Sequence, residues 1–361
     1  MKYQTHIKNI KINKSTIGDN SPTYFIADIA ANHNNDLIKA KELIAMCSEN
    51  GANAAKFQHF KAETIVSDIG FKNLKLISHQ SKWKKSVYDV YQSASISIDW
   101  CFPLIEECNK HNIDFFTSPY DLDYVDELAD LIPAFKIGSG DITWLEILEK
   151  IAKKNKPVLL ATGASNFIDV KNAVDCILKF NAELILMQCN TNYTGNDKIN
   201  IQNLNLNVLD TYKKEFPDLI LGLSDHTLSN ISVNVAVAKG AKVIEKHFTD
   251  NNDQDGPDHK FSLNPNSWKK MVDEVRLVET SLGDGLKKIE NNELETSVLQ
   301  RRSICSSKDL TKGSLISKED LTFLRPCPVN SFKPFEKNLL IGSKLKKNKK
   351  KFEPFFYTDL A

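Results

Sequence analysis

The sequence predicts an α/β chain: a (β/α)8 TIM barrel followed by a small β-rich domain. Eight short runs rich in β-branched and aromatic residues alternate with amphipathic stretches over the first 280 or so residues, the pattern of a parallel sheet with crossover helices. Eight such units in under 300 residues match the size of a closed barrel. No GxGxxG follows the first run, so an open dinucleotide-binding sheet lacks its usual phosphate turn.

The predicted strands are 24–31, 54–58, 114–117, 134–137, 158–161, 184–188, 219–223 and 242–246. Helical patterns lie between them, in DLIKAKELIAMCSEN, YVDELADL, LEILEKIAKK, FIDVKNAVDCILKF and ISVNVAVAKG, and the last helix covers Met271–Leu282. One connection is out of proportion: about forty residues separate Phe60 from the helix near Asp99–Asn109. Connections beyond ~15 residues often form lids or hold extra structure, and VYDVYQSA within this one reads as a short helix. The organisation expected is a catalytic barrel over 1–282, a polar, glycine-punctuated linker over 283–300 and a small domain over 301–361.

Composition narrows the function. The 361 residues carry a formal net charge of +1, which argues against a uniformly basic nucleic-acid binder. Charge is nevertheless segregated, with a net of +8 over 301–361 and −7 over the rest, so the tail suits an anionic ligand or an acidic partner surface. The run Lys344–Lys351 has no interleaved aromatic residue and reads as a solvated turn. No apolar run approaches the ~18 residues that would span a bilayer, and the first residues have no secretory core. The seven cysteines form no CxxC pair, as expected of reduced thiols in the cytoplasm.

Chemistry in such a barrel gathers at the carboxyl ends of the strands, and here those positions are polar in almost every unit. Asp28 and Asn32-His33 end the first strand, Lys56 and Gln58 the second, Ser118 the third, and Lys136-Ile137-Gly138-Ser139-Gly140-Asp141 the fourth. Thr162-Gly163, Asn190-Thr191-Asn192, Ser224-Asp225-His226 and Glu245-Lys246-His247 complete the ring. Any one of these could be a turn or cap residue, but eight converging sets would be costly to bury without a ligand. His226 and His247 end neighbouring strands, and two imidazoles there suit one divalent ion such as Mn, Zn, Co or Fe. Lys56, Lys136 and the Gly-Ser-Gly turn suit a phosphate or carboxylate. Asp28, Glu245 and Asp258 are candidates for acid–base work or for holding sugar hydroxyls.

These residues also carry a resemblance. Phe25-Ile26-Ala27-Asp28-Ile29 with Asn32-His33-Asn34, Gly51 through Gln58, Lys136 through Asp141, Gly222 through Thr227, Ile244 through Phe248 and Gly256-Pro257-Asp258-His259 resemble the sialic acid (N-acetylneuraminate) synthase family. Lys308-Asp309-Leu310, Lys312-Gly313 and Leu324-Arg325-Pro326 are similar to that family's antifreeze-like (SAF) domain. The resemblance implies a metal-dependent condensation of phosphoenolpyruvate with an open-chain N-acylated mannosamine-type aldehyde, releasing phosphate and giving a nine-carbon 2-keto acid.

It also implies roles. His226 and His247 match metal ligands, for Mn2+ first, with Mg2+ or Co2+ as alternatives. Lys56, Lys136, Ser139, Asn192 and Ser224 match positions that grip phosphoenolpyruvate, and Ser118 keeps the hydroxyl of a usual Thr. Glu245 and Asp258 match positions that hold the sugar or assist proton transfer. Arg325 matches an arginine that reaches into a partner subunit, implying a domain-swapped homodimer.

The chain departs from the family at several places. Asp28 replaces a common Glu, shortening the reach by about one methylene. Asn34-Asn35, Thr194-Gly195 and Cys327-Pro328-Val329 also differ from the usual residues. The acceptor therefore stays open between N-acetylmannosamine and a deoxy-diacetamido sugar of the legionaminic or pseudaminic type. Two other readings are a related barrel acting on a phosphorylated aldose and a non-catalytic sugar-binding barrel.

Overall fold

In the computed structural model, residues 9–74, 83, 85–193 and 197–361 are described, and they fall into two units that divide after Gly283. The first unit opens on an antiparallel hairpin, β1 (Asn9–Ile12) and β2 (Ser15–Gly18). Eight further strands follow: β3 (Tyr24–Asp28), β4 (Ala54–His59), β5 (Asp114–Pro119), β6 (Phe135–Ile137), β7 (Val158–Ala161), β8 (Leu184–Cys189), β9 (Ile220–Asp225) and β10 (Ala241–His247). They are ordered β5-β4-β3-β10-β9-β8-β7-β6 with every ladder parallel. β5 and β6 pack side by side at the remaining seam. This is the expected barrel.

Alternation along each strand sorts its side chains. Phe25, Ala27, Ala55, Phe57, Leu160, Leu186, Leu223 and Ile244 face outward into one apolar cluster with the helices. Those helices include α1 (Leu37–Glu49), which follows β3, and the closing helix α12 (Pro265–Leu282). Asp36 starts the former by accepting from the amides of Ile38 and Lys39. Asn264 starts the latter, with Pro265 at its first position, where proline's fixed φ and missing N–H are tolerated. Side chains of opposite parity, among them Tyr24, Ile26, Phe116, Ile185 and Val243, fill the barrel together with Ile10, Ile12 and Ile17 of the hairpin. The hairpin is thus an apolar plug at the amino-terminal mouth, leaving the polar residues to the other end.

Two expectations need adjusting in this unit. The first strand stops at Asp28 rather than residue 31, because the chain turns at Ala30, whose φ is +45°. The last helix begins at Pro265, six residues before the expected start. In the long connection, the expected short helix is Val87–Ala94, and two more short helices, Ala62–Ile65 and Asp68–Asn73, precede it. The rest of that connection, 75–82 and 84, lies outside the described residues, as does Thr194-Gly195.

The second unit spans 284–361. Its hairpin, β11 (Ser303–Ser306) and β12 (Leu321–Leu324), packs over Ile304, Leu310, Ile316, Phe332, Leu340, Leu345 and Phe355. The stretch expected as linker is not plain linker, since it holds a helix at Leu294–Leu299. It is tied to this unit by the Cys327 amide, which donates to the Val298 carbonyl. The lysine run is not wholly solvated either. Lys349 is buried against Asp359 at 2.7 Å, whereas Lys347 reaches the other oxygen of the same carboxylate from an exposed position at 2.9 Å.

Among the described residues no helix is long and apolar enough to cross a membrane. The seven cysteines are buried and unbridged.

Because Ile12 is fully buried in the plug, Ile12→Ala should destabilise the barrel by about 2–5 kcal/mol. Urea denaturation followed by tryptophan fluorescence should show the loss, with ligand affinity at the opposite mouth unchanged below the transition.

Candidate active site

The ends of β3, β4, β6, β8, β9 and β10 converge on a cavity of about 430 Å³. Of the residues singled out in the sequence, Asp28, Lys56, Lys136, Ser139, Ser224, His226, Glu245, His247 and Asp258 line it. Strand parity explains the set. Asp28 has the inward parity of Ile26, Lys56 that of Ala54, and Glu245 and His247 that of Val243.

The charges form one connected network. Lys56 Nζ lies 2.7 Å from Asp28 Oδ2 and 4.0 Å from Glu245 Oε1, while Lys136 Nζ lies 3.3 Å from the same Glu245 oxygen. Ser224 donates to Glu245 Oε1 at 3.2 Å, yet Glu245 Oε2 is buried without a hydrogen-bond partner. Burial opposes charge on both members of the closest pair. The Asp28 carboxylate nevertheless raises Lys56, and the Lys56 ammonium holds Asp28 below the usual carboxylate value. Both groups are therefore ionised near neutral pH. Asp28 is further held by the Gln58 amide at 3.3 Å and the Ala30 N–H at 3.1 Å.

His226 and His247 face each other with ring centroids 5.4 Å apart. His226 directs Nδ1 at the Asn190 carbonyl at 3.0 Å, so that nitrogen carries the proton and Nε2 keeps the lone pair. His247 has Nδ1 buried with no partner and Nε2 3.7 Å from Asp28 Oδ2. Burial pushes its pKa down to about 3, which keeps the ring neutral. Tyr193 and Phe261 brace the two rings, at 4.4 Å from His226 and 4.9 Å from His247 respectively.

Opposite the histidines, Ser139 accepts from the Gly163 N–H at 2.9 Å. A Cβ at Gly163 would stand 1.9 Å from Thr191 Oγ1 and 2.9 Å from Ser139 Oγ, so glycine is required for this approach. Asp258 accepts from the Ala31 N–H at 3.2 Å. Burial pushes both Asp258 and Asp141 up to about 6.

Two expected residues of the first unit are not brought to the cavity wall. Ser118 is buried in register beside Gln58, with its hydroxyl unpartnered, but does not line the cavity. Asn192 is half-buried on the loop after β8, and its carbonyl accepts from Asn200; its neighbours Thr191 and Tyr193 line the cavity instead. Arg325 is exposed in the second unit, donating to Gln300 at 2.6 Å.

Other lining residues escaped the reading. Cys189 was open to detection by strand parity, since it shares the inward parity of Ile185 and Met187, while Gln58 and Asp141, named among the strand-end residues, line the wall as well. Val90 and Tyr91 come from the long connection and Phe60 from just before it, where barrel periodicity gives no guide.

Comparison with known proteins identifies the family. Residues 43–287 match the NeuB family and residues 301–361 the SAF domain. The N,N'-diacetyllegionaminic acid synthase of Legionella pneumophila is 37% identical over 92% of this chain and 92% of its own length. Among solved structures, the spore coat polysaccharide biosynthesis protein SpsE of Bacillus subtilis has a TM-score of 0.65 at 28% identity, covering 98% of this chain and 99% of that one. N-acetylneuraminic acid synthetase from Leptospira borgpetersenii has a TM-score of 0.70 at 28% identity, covering 80% and 94%. The chain belongs to the NeuB family and ends in a SAF domain.

Proposed function

We propose that this chain is a nonulosonic acid synthase. It condenses phosphoenolpyruvate with an open-chain N-acylated amino-sugar aldehyde, forming a carbon–carbon bond and releasing phosphate. The observation that carries the reading is the meeting, in one cavity, of two buried ammonium groups with two facing imidazoles. Relatives named as legionaminic and pseudaminic acid synthases, 37% and 30% identical over most of the chain, support the acceptor class.

The residues divide the work. Lys56 and Lys136 supply positive charge for the phosphate and carboxylate of phosphoenolpyruvate. Ser139 accepts from Gly163, which fixes its hydroxyl at the cavity wall. The unpartnered Glu245 Oε2 is placed to accept a hydroxyl of the acceptor or of the attacking water. Asp258, pushed up to about 6, exchanges a proton readily near neutral pH.

The His226 and His247 nitrogens fit a divalent ion, because His226 keeps a lone pair on Nε2 and His247 has Nδ1 buried with no partner. Among the described residues no cluster of three or more His, Cys, Asp or Glu side chains is arranged for a metal, so substrate and water would complete the sphere. Bound there, Mn2+, or Mg2+ or Co2+ in its place, would supply Lewis acidity toward the aldehyde. We place the reaction in the cytoplasm and assign it to a homodimer in which Arg325 adds a cation to the partner's anionic site; the basic charge of 301–361 supports that role for Arg325.

The reaction class is tested by phosphate release from phosphoenolpyruvate with Mn2+ across N-acetylmannosamine, diacetamido-trideoxy hexoses and arabinose 5-phosphate. Release with an unphosphorylated amino sugar is expected, and release with arabinose 5-phosphate alone would overturn the reading.

His247→Ala should lower turnover by more than about 100-fold while the metal-free protein melts as before. Full turnover of the wild type after chelation and dialysis would remove the metal. Arg325→Ala should raise the KM for phosphoenolpyruvate or acceptor about tenfold, the worth of one charged hydrogen bond, with no change in melting temperature; unchanged kinetics would remove the shared site.

The raised pKa of Asp141 gives a pH signature. Its folded value of about 6 exceeds the ordinary 3.8, so its contribution to stability is fully present below the ordinary value and is lost as pH rises through about 6. Asp141→Asn should therefore gain stability over the wild type, on the order of 2 kcal/mol by pH 7 and little at pH 4, read from melting curves of ligand-free protein.

A further inference from the structure

A second ion pair lies directly behind the histidines and takes no part in the site just described. The β9–β10 ladder sets Ser224 beside Glu245 and Asp225 beside Lys246. Ser224, His226, Glu245 and His247 face the cavity, so Asp225 and Lys246 face the other way, between the sheet and the helix α11 (Ile231–Ala238). Lys246 Nζ lies 2.6 Å from Asp225 Oδ2, with both side chains almost wholly buried.

The pair is fully dressed. Lys246 also donates to the Thr227 carbonyl at 2.5 Å. Asp225 Oδ2 accepts from Thr227 Oγ1 at 2.9 Å and from Ser232 Oγ at 2.5 Å, and Oδ1 accepts from the Thr227 N–H at 3.0 Å. It therefore ties together the last residues of two strands, the turn after β9 and the first turn of α11.

A buried ion pair is a poor device for stability alone. Removing two charges from water costs several kcal/mol per ion, and well-packed apolar replacements are often neutral or stabilising. What such a pair supplies is fixed geometry. Asp225 is bonded in sequence to His226 and Lys246 to His247, and each histidine stands at or beyond the end of its strand. There the ladder no longer sets the distance between them; their rings are held by aromatic contact and, for His226, by the Asn190 carbonyl, none of which ties one histidine's backbone to the other's.

We propose that Asp225 and Lys246 are a positioning pair that sets the spacing of the His226 and His247 imidazoles for one divalent ion. The inference rests on the metal reading given above. Ser232, from α11, is the third member: its hydroxyl holds the Asp225 oxygen that meets Lys246.

The test begins with metal-free wild-type protein titrated with Mn2+, the free ion being read by electron paramagnetic resonance. Binding there keeps the metal reading, and its absence overturns that reading and this inference with it. The double variant Asp225→Asn, Lys246→Met removes both charges and nearly keeps the side-chain lengths. It is expected to lose about 10–100-fold in Mn2+ affinity, with kcat falling in parallel, the KM for phosphoenolpyruvate little changed and the metal-free melting temperature kept or raised. Wild-type Mn2+ affinity and kcat in the folded double variant would overturn the positioning role and leave the metal reading standing. If the double variant does not fold, Ser232→Ala, which keeps both charges, decides. A loss of about threefold or more in Mn2+ affinity at an unchanged melting temperature, within the worth of one hydrogen bond, supports the role, and wild-type affinity overturns it.

Discussion

The barrel keeps two ammonium groups, Lys56 and Lys136, inside its mouth with Asp28 and Glu245 as their nearby carboxylates. Much else in the first unit follows from that constraint. Lysine leaves water at high cost unless it is paired and hydrogen-bonded, so the pocket must carry matching acids, and it does so at the ends of β3 and β10. The matching is incomplete. Glu245 keeps one buried oxygen without a partner, and His247 one nitrogen. A set of buried polar atoms left partly unsatisfied around paired charges is the signature of a site shaped for a ligand rather than for its own stability.

The apolar half of the barrel makes this affordable. Ile10, Ile12 and Ile17 seal the amino-terminal mouth against a ring of inward side chains, so the polar residues are confined to one end. Each strand then runs from an apolar layer to a polar one within about two alternations. The active-site ring is in this sense a continuation of the core by the same parity, with the residue types changed.

That parity is also why the site was legible in the sequence. Lys56, Lys136, Ser224 and Glu245 could be placed from strand ends alone, since each strand's period is fixed and its terminus is marked by a change to polar residues. Where the chain leaves the strands, the rule fails. Tyr91 reaches the cavity from a helix of the long connection, Phe60 lies just before that connection, and Asn192 lies on a loop whose neighbours, not itself, line the wall. The amino-terminal hairpin was missed because four-residue strands that alternate exposed and buried side chains carry little signal beside the longer runs. In the second unit the lysine run misled for a different reason: composition cannot tell one buried lysine from its solvated neighbours, and Lys349 is set apart by the buried contacts it makes together with Asp359, Glu353 and the Pro354 carbonyl.

The replacement of a longer carboxylate by Asp28 finds its account in the same geometry. Asp28 Oδ1 accepts from the Ala30 amide, while Oδ2 meets Lys56 at 2.7 Å and Gln58 at 3.3 Å. Three of its roughly four acceptor directions are in use, and the neighbouring ammonium keeps the group ionised below the usual carboxylate value. A carboxylate so held is a fixed negative charge and a poor proton carrier, because protonating it would break the Lys56 contact. Asp258 differs on each count. It accepts one amide N–H, and burial raises its pKa to about 6. The shorter side chain therefore costs this site little, provided that Asp28 orients Lys56 and faces His247 while the protons are moved by Asp258 and by the free oxygen of Glu245.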